Sequence, residues 1–431
     1  MDSLNNTIDK MMSNYFSKWS AILVAKRVEA VLSACLLLNI SFSKAQTIPA
    51  GIWRAVLHVQ GKQVPFLMEV DSRSEAPTSI VIRNGEERIQ AEEITYLRDS
   101  LLISMPVFDS EIIAKLEGNM LKGFFRKNLP GNAIYRVSFE ATHGKAHRFD
   151  ENPAPPLGDI SGKWETSFMA LDGKTSPAIG IFQQNGNYLT GTFLTPTGDY
   201  RFLEGQVNGN QLHLSTFNGE SILLFEGKIS GDSIKGQMWS GIGGYKHWQA
   251  KRNPHARLPD PEKLTYLKEG YQRISFRFPN MEGKMVSIDD QRYVGKVVIV
   301  QLLGSWCPNC MDETAFLAPY YDAHKEKGLE IIGLAYERSA NFEEARPRIL
   351  KMMKRLGVNY QVLFAGSADK ESANRTLPML NAVLAYPTTI FIDKKGNVRK
   401  IHTGFSGPGT GHYYSTYVEE FDRFVKQLLN E

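Results

Sequence analysis

The sequence predicts a multidomain chain: a β-rich N-terminal region built of two repeated modules, as small barrels or as the halves of a sandwich, followed by an α/β domain. Three observations predict it. From Ile48 to Arg252 short runs such as Trp53-Arg54-Ala55-Val56-Leu57-His58-Val59 alternate apolar with polar residues and stop at Gly, Asn and Asp. Within that region Gly51-Ile52-Trp53 is echoed by Gly162-Lys163-Trp164, Lys122-Gly123 by Lys235-Gly236, and Tyr135-Arg136 by Tyr245-Lys246. These echoes keep a nearly constant spacing, the mark of an internal repeat. Beyond residue 270 the pattern changes to strands alternating with helices.

The elements follow in order. Lys26 and Arg27 precede an apolar run from Ala30 to Phe42, closed by Ser43-Lys44-Ala45. A basic start, a short apolar stretch and a small-x-small site read as a signal peptide over residues 1–45, which sends the chain to the periplasm or cell envelope. Leu32-Ser33-Ala34-Cys35 also resembles a lipobox, so lipidation at Cys35, or an uncleaved N-terminal anchor, is the alternative to a soluble exported chain. The first β-rich module is expected at 48–150 and its repeat at 158–252, separated by the stiff Asn152-Pro153-Ala154-Pro155-Pro156. A second linker, Asn253-Pro254 to Pro261, leads to the α/β domain at 270–431.

In that domain a hairpin, Ile274 to Ile288, precedes the apolar run Val297–Leu303, which reads as a strand buried on both faces. A helix is expected from Cys307 to Lys327, stopped by Gly328, then a strand over Leu329–Tyr336. The remainder reads as a helix over Glu343–Leu356, strands at Tyr360–Phe364, Thr388–Ile392 and Val398–His402, and a terminal helix from Tyr413 to Leu429.

Trp306-Cys307-Pro308-Asn309-Cys310 is the most informative stretch. A buried strand running into Cys-x-x-Cys at the start of a helix is the setting for reversible dithiol–disulfide exchange. The two sulfurs lie one turn apart on one helix face and can close a Cys307–Cys310 disulfide. Pro308 occupies a first-turn position where a missing N–H costs nothing. Cys307, at the positive end of the helix dipole, is the attacking sulfur, and Cys310, a turn inside, resolves. Removal of residues 1–45 would leave this pair as the sole cysteines of the three in the chain. In an oxidising compartment stray thiols become unwanted crosslinks.

Residues 274–431 resemble the thioredoxin fold of the exported TlpA/ResA-like family. The match rests on Gly295-Lys296-Val297-Val298-Ile299-Val300, the Trp306–Cys310 motif with Glu313, Tyr386-Pro387-Thr388-Thr389-Ile390-Phe391-Ile392-Asp393, and Gly396. The resemblance implies a periplasmic thiol–disulfide oxidoreductase, often on the reducing side, acting on protein disulfides or dithiols and recharged by a membrane electron donor. It implies a cis peptide before Pro387, placing that ring against the disulfide, and substrate contacts from Trp306, Tyr386 and Thr388. Glu313 is implied to move the proton of the resolving cysteine. Gln301 stands where thioredoxin has a buried Asp, so that with Pro308 and Asn309 it belongs to the residues that tune the couple. Two departures leave the direction of electron flow open. Pro308 follows the first cysteine, as in oxidising DsbA-like enzymes, but Asn309 lacks the charge of their histidine.

Competing readings are weaker in the residues. A structural zinc site needs four ligands, and no second Cys pair or His-x3-5-His accompanies the motif in its domain. No metal and no cofactor are expected. A thiol peroxidase with antioxidant activity would need a Thr before its cysteine, for which Ser305 is a poor substitute. A binding or adaptor protein, with the β-rich modules recognising a partner, remains the third reading. A formal charge of +4 over 431 residues, without a basic stripe, excludes a nucleic-acid footprint. Membrane attachment is expected through the N-terminus alone.

Overall fold

Two tryptophans anchor the β-rich region in the same way. Trp53 and Trp164 sit in the opening strands Gly51–Val59 and Gly162–Ala170, are fully buried, and donate their indole N–H to the carbonyl four residues back, Pro49 at 3.0 Å and Ile160 at 2.8 Å. A buried indole must find an acceptor, and the turn that precedes each strand supplies it. In both sheets the opening strand pairs antiparallel with the closing one, Ile134–His143 in the first and Gly244–Arg252 in the second. The computed structural model behind this description covers residues 48–71, 79–97, 99–129 and 133–431. The expected signal peptide and Cys35 lie outside the described residues.

The two sheets differ in closure. In the second, Thr175–Asn185 pairs both with Gly162–Ala170 and with Tyr188–Thr195, so the ring of strands closes into a barrel. Its interior is filled by Trp164, Phe168, Phe182, Phe193, Phe225 and Trp248. In the first, Glu87–Gln90 and Glu93–Leu97 end the sheet as edges. Its concave face is instead completed by the barrel: Phe217, Ile222, Leu224 and Trp239 join its core. Phe217 lies 4.6 Å from Phe66 and 5.1 Å from Phe125, ring centre to ring centre. The region is thus a barrel cradled by an open sheet with one shared core, rather than two free-standing barrels.

The C-terminal domain has a five-stranded sheet ordered Gln361–Ser367, Leu329–Glu337, Val297–Leu303, Thr388–Ile392, Val398–Thr403, the first three parallel and the last two antiparallel to their neighbours. This is a thioredoxin-like sheet. All seven residues of Val297–Leu303 are buried. Val297, Ile299 and Leu303 face the helices Pro308–His324, Phe342–Leu356 and His412–Asn430, while Val298, Val300 and Leu302 face a second core. The helix expected to run to Lys327 tightens into a 3-10 turn at Lys325–Lys327 before Gly328, because the chain must turn into the next strand. The sequence reading missed a short helix, Lys370–Thr376, capped by Asp369. The expected hairpin contracts to Arg277–Pro279 and Met285–Ser287.

Candidate active site

The central strand delivers the chain to the helix Pro308–His324, whose N-cap is Cys307 and whose first residue is Pro308. The Cys307 sulfur accepts the Cys310 backbone N–H at 3.3 Å, so it serves as the cap of the helix. Both sulfurs are free thiols; Cys307 is 6 % exposed and Cys310 0 %. Burial pushes the Cys310 thiol well above its usual range, and its hydrogen bond with Cys307 and that neighbour's charge add to the shift. One sulfur is therefore reachable, and the other is held as a protonated thiol behind it.

The Tyr386–Pro387 peptide is cis and brings the Tyr386 carbonyl to the Cys307 sulfur, which donates to it at 3.3 Å. Trp306 is half-buried. Its indole N–H donates to the Tyr336 carbonyl at 3.0 Å, its ring meets Tyr386 edge-on at 5.9 Å, and the Arg338 guanidinium lies 5.1 Å from it. It forms a wall of the site and packs at the same time.

Behind the sulfurs lies a polar cluster sealed from water. Strand pairing sets Gln301 beside Thr389, and both are fully buried. Both reach the buried Glu313 carboxyl: Gln301 Nε2 donates to one oxygen at 2.8 Å and Thr389 Oγ1 to the other at 2.7 Å. Tyr417, from the terminal helix, donates at 3.1 Å, and Thr314 fixes the Gln301 amide by donating to its oxygen at 3.2 Å. Burial raises the Glu313 pKa to about 7, against the pull of these three hydrogen bonds. A carboxyl tuned there can hold or release a proton at neutral pH. Glu313 is thus not a solvated helix glutamate, the commoner setting for that residue.

Thr388 requires a correction. The resemblance implied a substrate contact, but the residue is fully buried and its hydroxyl donates to the Ala385 carbonyl at 2.9 Å. Pairing of Thr388 with Leu302 turns it toward the second core, and its neighbour Thr389 takes the face toward the sulfurs. Asn309 is not simply a neutral residue facing solvent. With its amide turned so that both ends are paired, it accepts from the Asp199 N–H at 2.8 Å and donates to the Asp199 carbonyl at 3.2 Å. Ser305 gives its N–H and its hydroxyl to Glu337, each at 2.8 Å, which leaves it a poor partner for a peroxidatic sulfur.

Sequence reasoning missed Thr389, Tyr417, Glu337, Asp312, and Asp199 and Arg201 of the barrel. The period-two alternation of Thr388-Thr389 against Gln301 could have found Thr389. Nothing in the local sequence marks Arg201, whose guanidinium reaches the Pro308 carbonyl at 3.4 Å across 107 residues. Among the described residues no cluster of three or more His, Cys, Asp or Glu could hold a metal, and no helix is long and apolar enough to cross a membrane.

Residues 268–416 match the Redoxin family model. The thiol-disulfide oxidoreductase ResA of Halalkalibacterium halodurans is 28% identical over 162 residues, 38% of this chain and 80% of the relative. ResA of Geobacillus thermodenitrificans is 30% identical over 142 residues, 32% of this chain and 72% of the relative. Among solved structures, a thiol:disulfide interchange protein of the thioredoxin family from Chlorobium tepidum aligns at 25% identity with a TM-score of 0.29, over 38% of this chain and 98% of that one.

Proposed function

Since this chain belongs, through its C-terminal domain, to the ResA-type thiol-disulfide oxidoreductases, we propose that it reduces protein disulfides in the cell envelope by cycling Cys307 and Cys310 through a mixed disulfide. The observation that carries this reading is the asymmetry of the pair: Cys307 caps the helix at the rim and Cys310 is sealed behind it.

In the first step the Cys307 thiolate attacks one sulfur of a substrate disulfide. The substrate S–S bond breaks, a Cys307–substrate bond forms, and the departing sulfur takes a proton. Cys310 then loses its proton and attacks the Cys307 sulfur. The mixed disulfide breaks, Cys307–Cys310 forms, and the second substrate sulfur leaves as a thiol. Two electrons and two protons have passed to the substrate. A dithiol donor, reached through a membrane protein, must then return the pair to the reduced state.

Each neighbouring group has a part in that sequence. Glu313 receives the Cys310 proton: burial has raised its pKa to about 7, and its charge is among those felt by the Cys310 sulfur. Gln301 holds that carboxyl in place. The ring of Pro387, with no N–H of its own, keeps the approach to Cys307 apolar. Tyr386 and Trp306 frame the entry. Pro308 and Asn309 tune the couple through the first turn of the helix. Export rests on the residue 1–45 signal, with Cys35 lipidation as the anchored alternative, and the β-rich stretches 48–150 and 158–252 are read as two copies of one module.

The reducing direction rests on the uncharged Asn309, which gives the thiolate less support than a cation would. An equilibrium titration against dithiothreitol or glutathione is expected to place the midpoint nearer the ~−270 mV of thioredoxin than the ~−120 mV of DsbA. A midpoint above about −150 mV would make the protein a disulfide donor. Cys310→Ser is expected to accumulate a covalent adduct with protein substrate, and Cys307→Ser none. Partner binding that survives Cys307→Ser, with no turnover by the wild type, would favour the adaptor reading instead.

A further inference from the structure

The barrel does not stop at the edge of the redox domain. A finger from it, Thr195 to Arg201, containing the two-residue strand Gly198–Asp199, lies on the first turn of the redox helix. The approach is close enough to demand glycine on both sides. A Cβ on Gly198, whose φ is +142°, would stand 2.7 Å from the Asn309 amide, and one on Gly404, at φ +81°, 2.7 Å from the Thr197 carbonyl carbon. Asp199 accepts the Gly407 N–H at 2.7 Å in the loop that follows the last strand of the redox domain.

Arg201 is the centre of the contact. It adopts φ +57°, a left-handed conformation that costs a non-glycine residue about 1 kcal/mol or more and that surrounding structure must enforce. Held so, its guanidinium donates to the Pro308 carbonyl at 3.4 Å, pairs with Asp312 at 3.0 Å, and pairs with Glu87 of the open sheet at 2.6 Å. All three charged side chains are largely buried. Pro308 and Asp312 bracket Cys310, so one side chain grips the first turn at both ends. The planar fork of arginine suits two anionic partners and a carbonyl, whereas lysine offers a point charge.

We propose that Arg201 is a positioning residue of the redox site: by gripping Pro308 and Asp312 it holds the first turn of the redox helix, so that the β-rich region sets the reactivity of a dithiol in another domain. The inference rests on exchange at Cys307–Cys310. The groups facing Arg201 are Glu87 from the open sheet, Asp199 from the finger, and Asp312 and the Pro308 carbonyl from the helix. Removing the guanidinium frees Pro308 and Asp312, and with them the turn whose Cys310 N–H reaches the Cys307 sulfur at 3.3 Å, which disfavours the reduced form.

The test uses the full chain and its Arg201→Ala and Arg201→Lys variants. Two numbers are read: the equilibrium constant against dithiothreitol and the alkylation rate of Cys307 near neutral pH. Arg201→Ala is expected to shift the equilibrium constant about threefold toward the disulfide, equivalent to about 15 mV at ~30 mV per tenfold, and to slow alkylation by a similar factor. Arg201→Lys should recover part of both, which a residue needed for folding alone would not do in the potential. Should Arg201→Ala lose its folded signal, Gly409→Ala, whose Cβ would stand 2.7 Å from the Arg201 carbonyl carbon and so displaces that residue, is read by the same two numbers and expected to move them the same way. Variants that fold and match the wild type in both numbers overturn the inference while leaving the redox reading intact. A wild type that performs no exchange with dithiothreitol overturns the redox reading itself.

Discussion

Replacing Glu313 by Gln removes the titration of a single carboxyl from the centre of the redox domain. Unfolded, that carboxyl releases its proton near the ordinary 4.5; folded, burial holds it until about 7. Between those values the folded chain keeps a proton that the unfolded chain has lost, so raising the pH draws the equilibrium toward unfolding. The contribution is fully present below about 4.5 and is lost as pH rises through about 7. An interval of about 2.5 units at 1.36 kcal/mol each amounts to about 3 kcal/mol. Glu313→Gln has no such loss. Its stability relative to wild type should therefore improve by about 3 kcal/mol between about pH 4.5 and about pH 8, whatever the difference at the acid end. Urea unfolding of the reduced protein, followed by helical circular dichroism, measures this. Among the described residues every α-helix lies in the redox domain, so the signal follows that domain. The amide can keep the Gln301 bond by pointing its oxygen at Gln301 Nε2, its N–H groups then facing the Thr389 and Tyr417 hydroxyls, which turn from donor to acceptor. The kinetic consequence runs the other way. Without an acceptor for the Cys310 proton, resolution of the mixed disulfide should slow about tenfold or more, and the inflection near pH 7 should vanish from the rate profile. A variant that keeps the wild-type rate profile and parallels the wild-type stability at every pH would refute the reasoning.

The other expectations probe the same cluster and the shared core. Thr389→Val deletes a donor to the Glu313 carboxylate; the rate inflection should move to higher pH, and stability near neutral pH should fall by about 1–3 kcal/mol. Trp164→Ala, which empties the barrel core and leaves the Ile160 carbonyl unpaired, should cost about 3–5 kcal/mol in denaturant unfolding. Phe217→Ala should loosen the open sheet as well as the barrel, because its ring packs on Phe66 and Phe125. Hydrogen exchange in the strands that carry those residues, Lys62–Asp71 and Met120–Asn128, would reveal it, and unchanged protection there would contradict a shared core.

Much of this chain is legible one segment at a time. A run apolar but for one residue, a Cys-x-x-Cys with a first-turn proline and a helix-ending glycine each carry their meaning locally, since capping, helix dipole and burial act within a turn or two of chain. The same holds for the Gly-x-Trp starts, whose repetition marks equivalent strands at the openings of both sheets. What local patterning could not supply was the partner of each inward face. The alternation of Thr388 and Thr389 is symmetrical in sequence. Only the pairing of Thr389 with Gln301 assigns one to the sulfurs and the other to the opposite core. Nor does the strand pattern reveal that one sheet closes and the other stays open, because the apolar residues that complete the open sheet are contributed by its neighbour.

The sequence by itself determined the chemistry: two thiols one helical turn apart, a glutamate three residues on, and a proline ahead of a buried strand. Tertiary structure decided what surrounds that chemistry. Arg201 and Asp199 lie more than a hundred residues from the redox motif, in a stretch that reads as an ordinary turn. They meet it because the barrel docks there, and the energy of that contact depends on charges drawn from three parts of the chain: Glu87, Arg201 and Asp312. Short-range forces write themselves into neighbouring residues, whereas a buried ion cluster exists only once folding has excluded water around it.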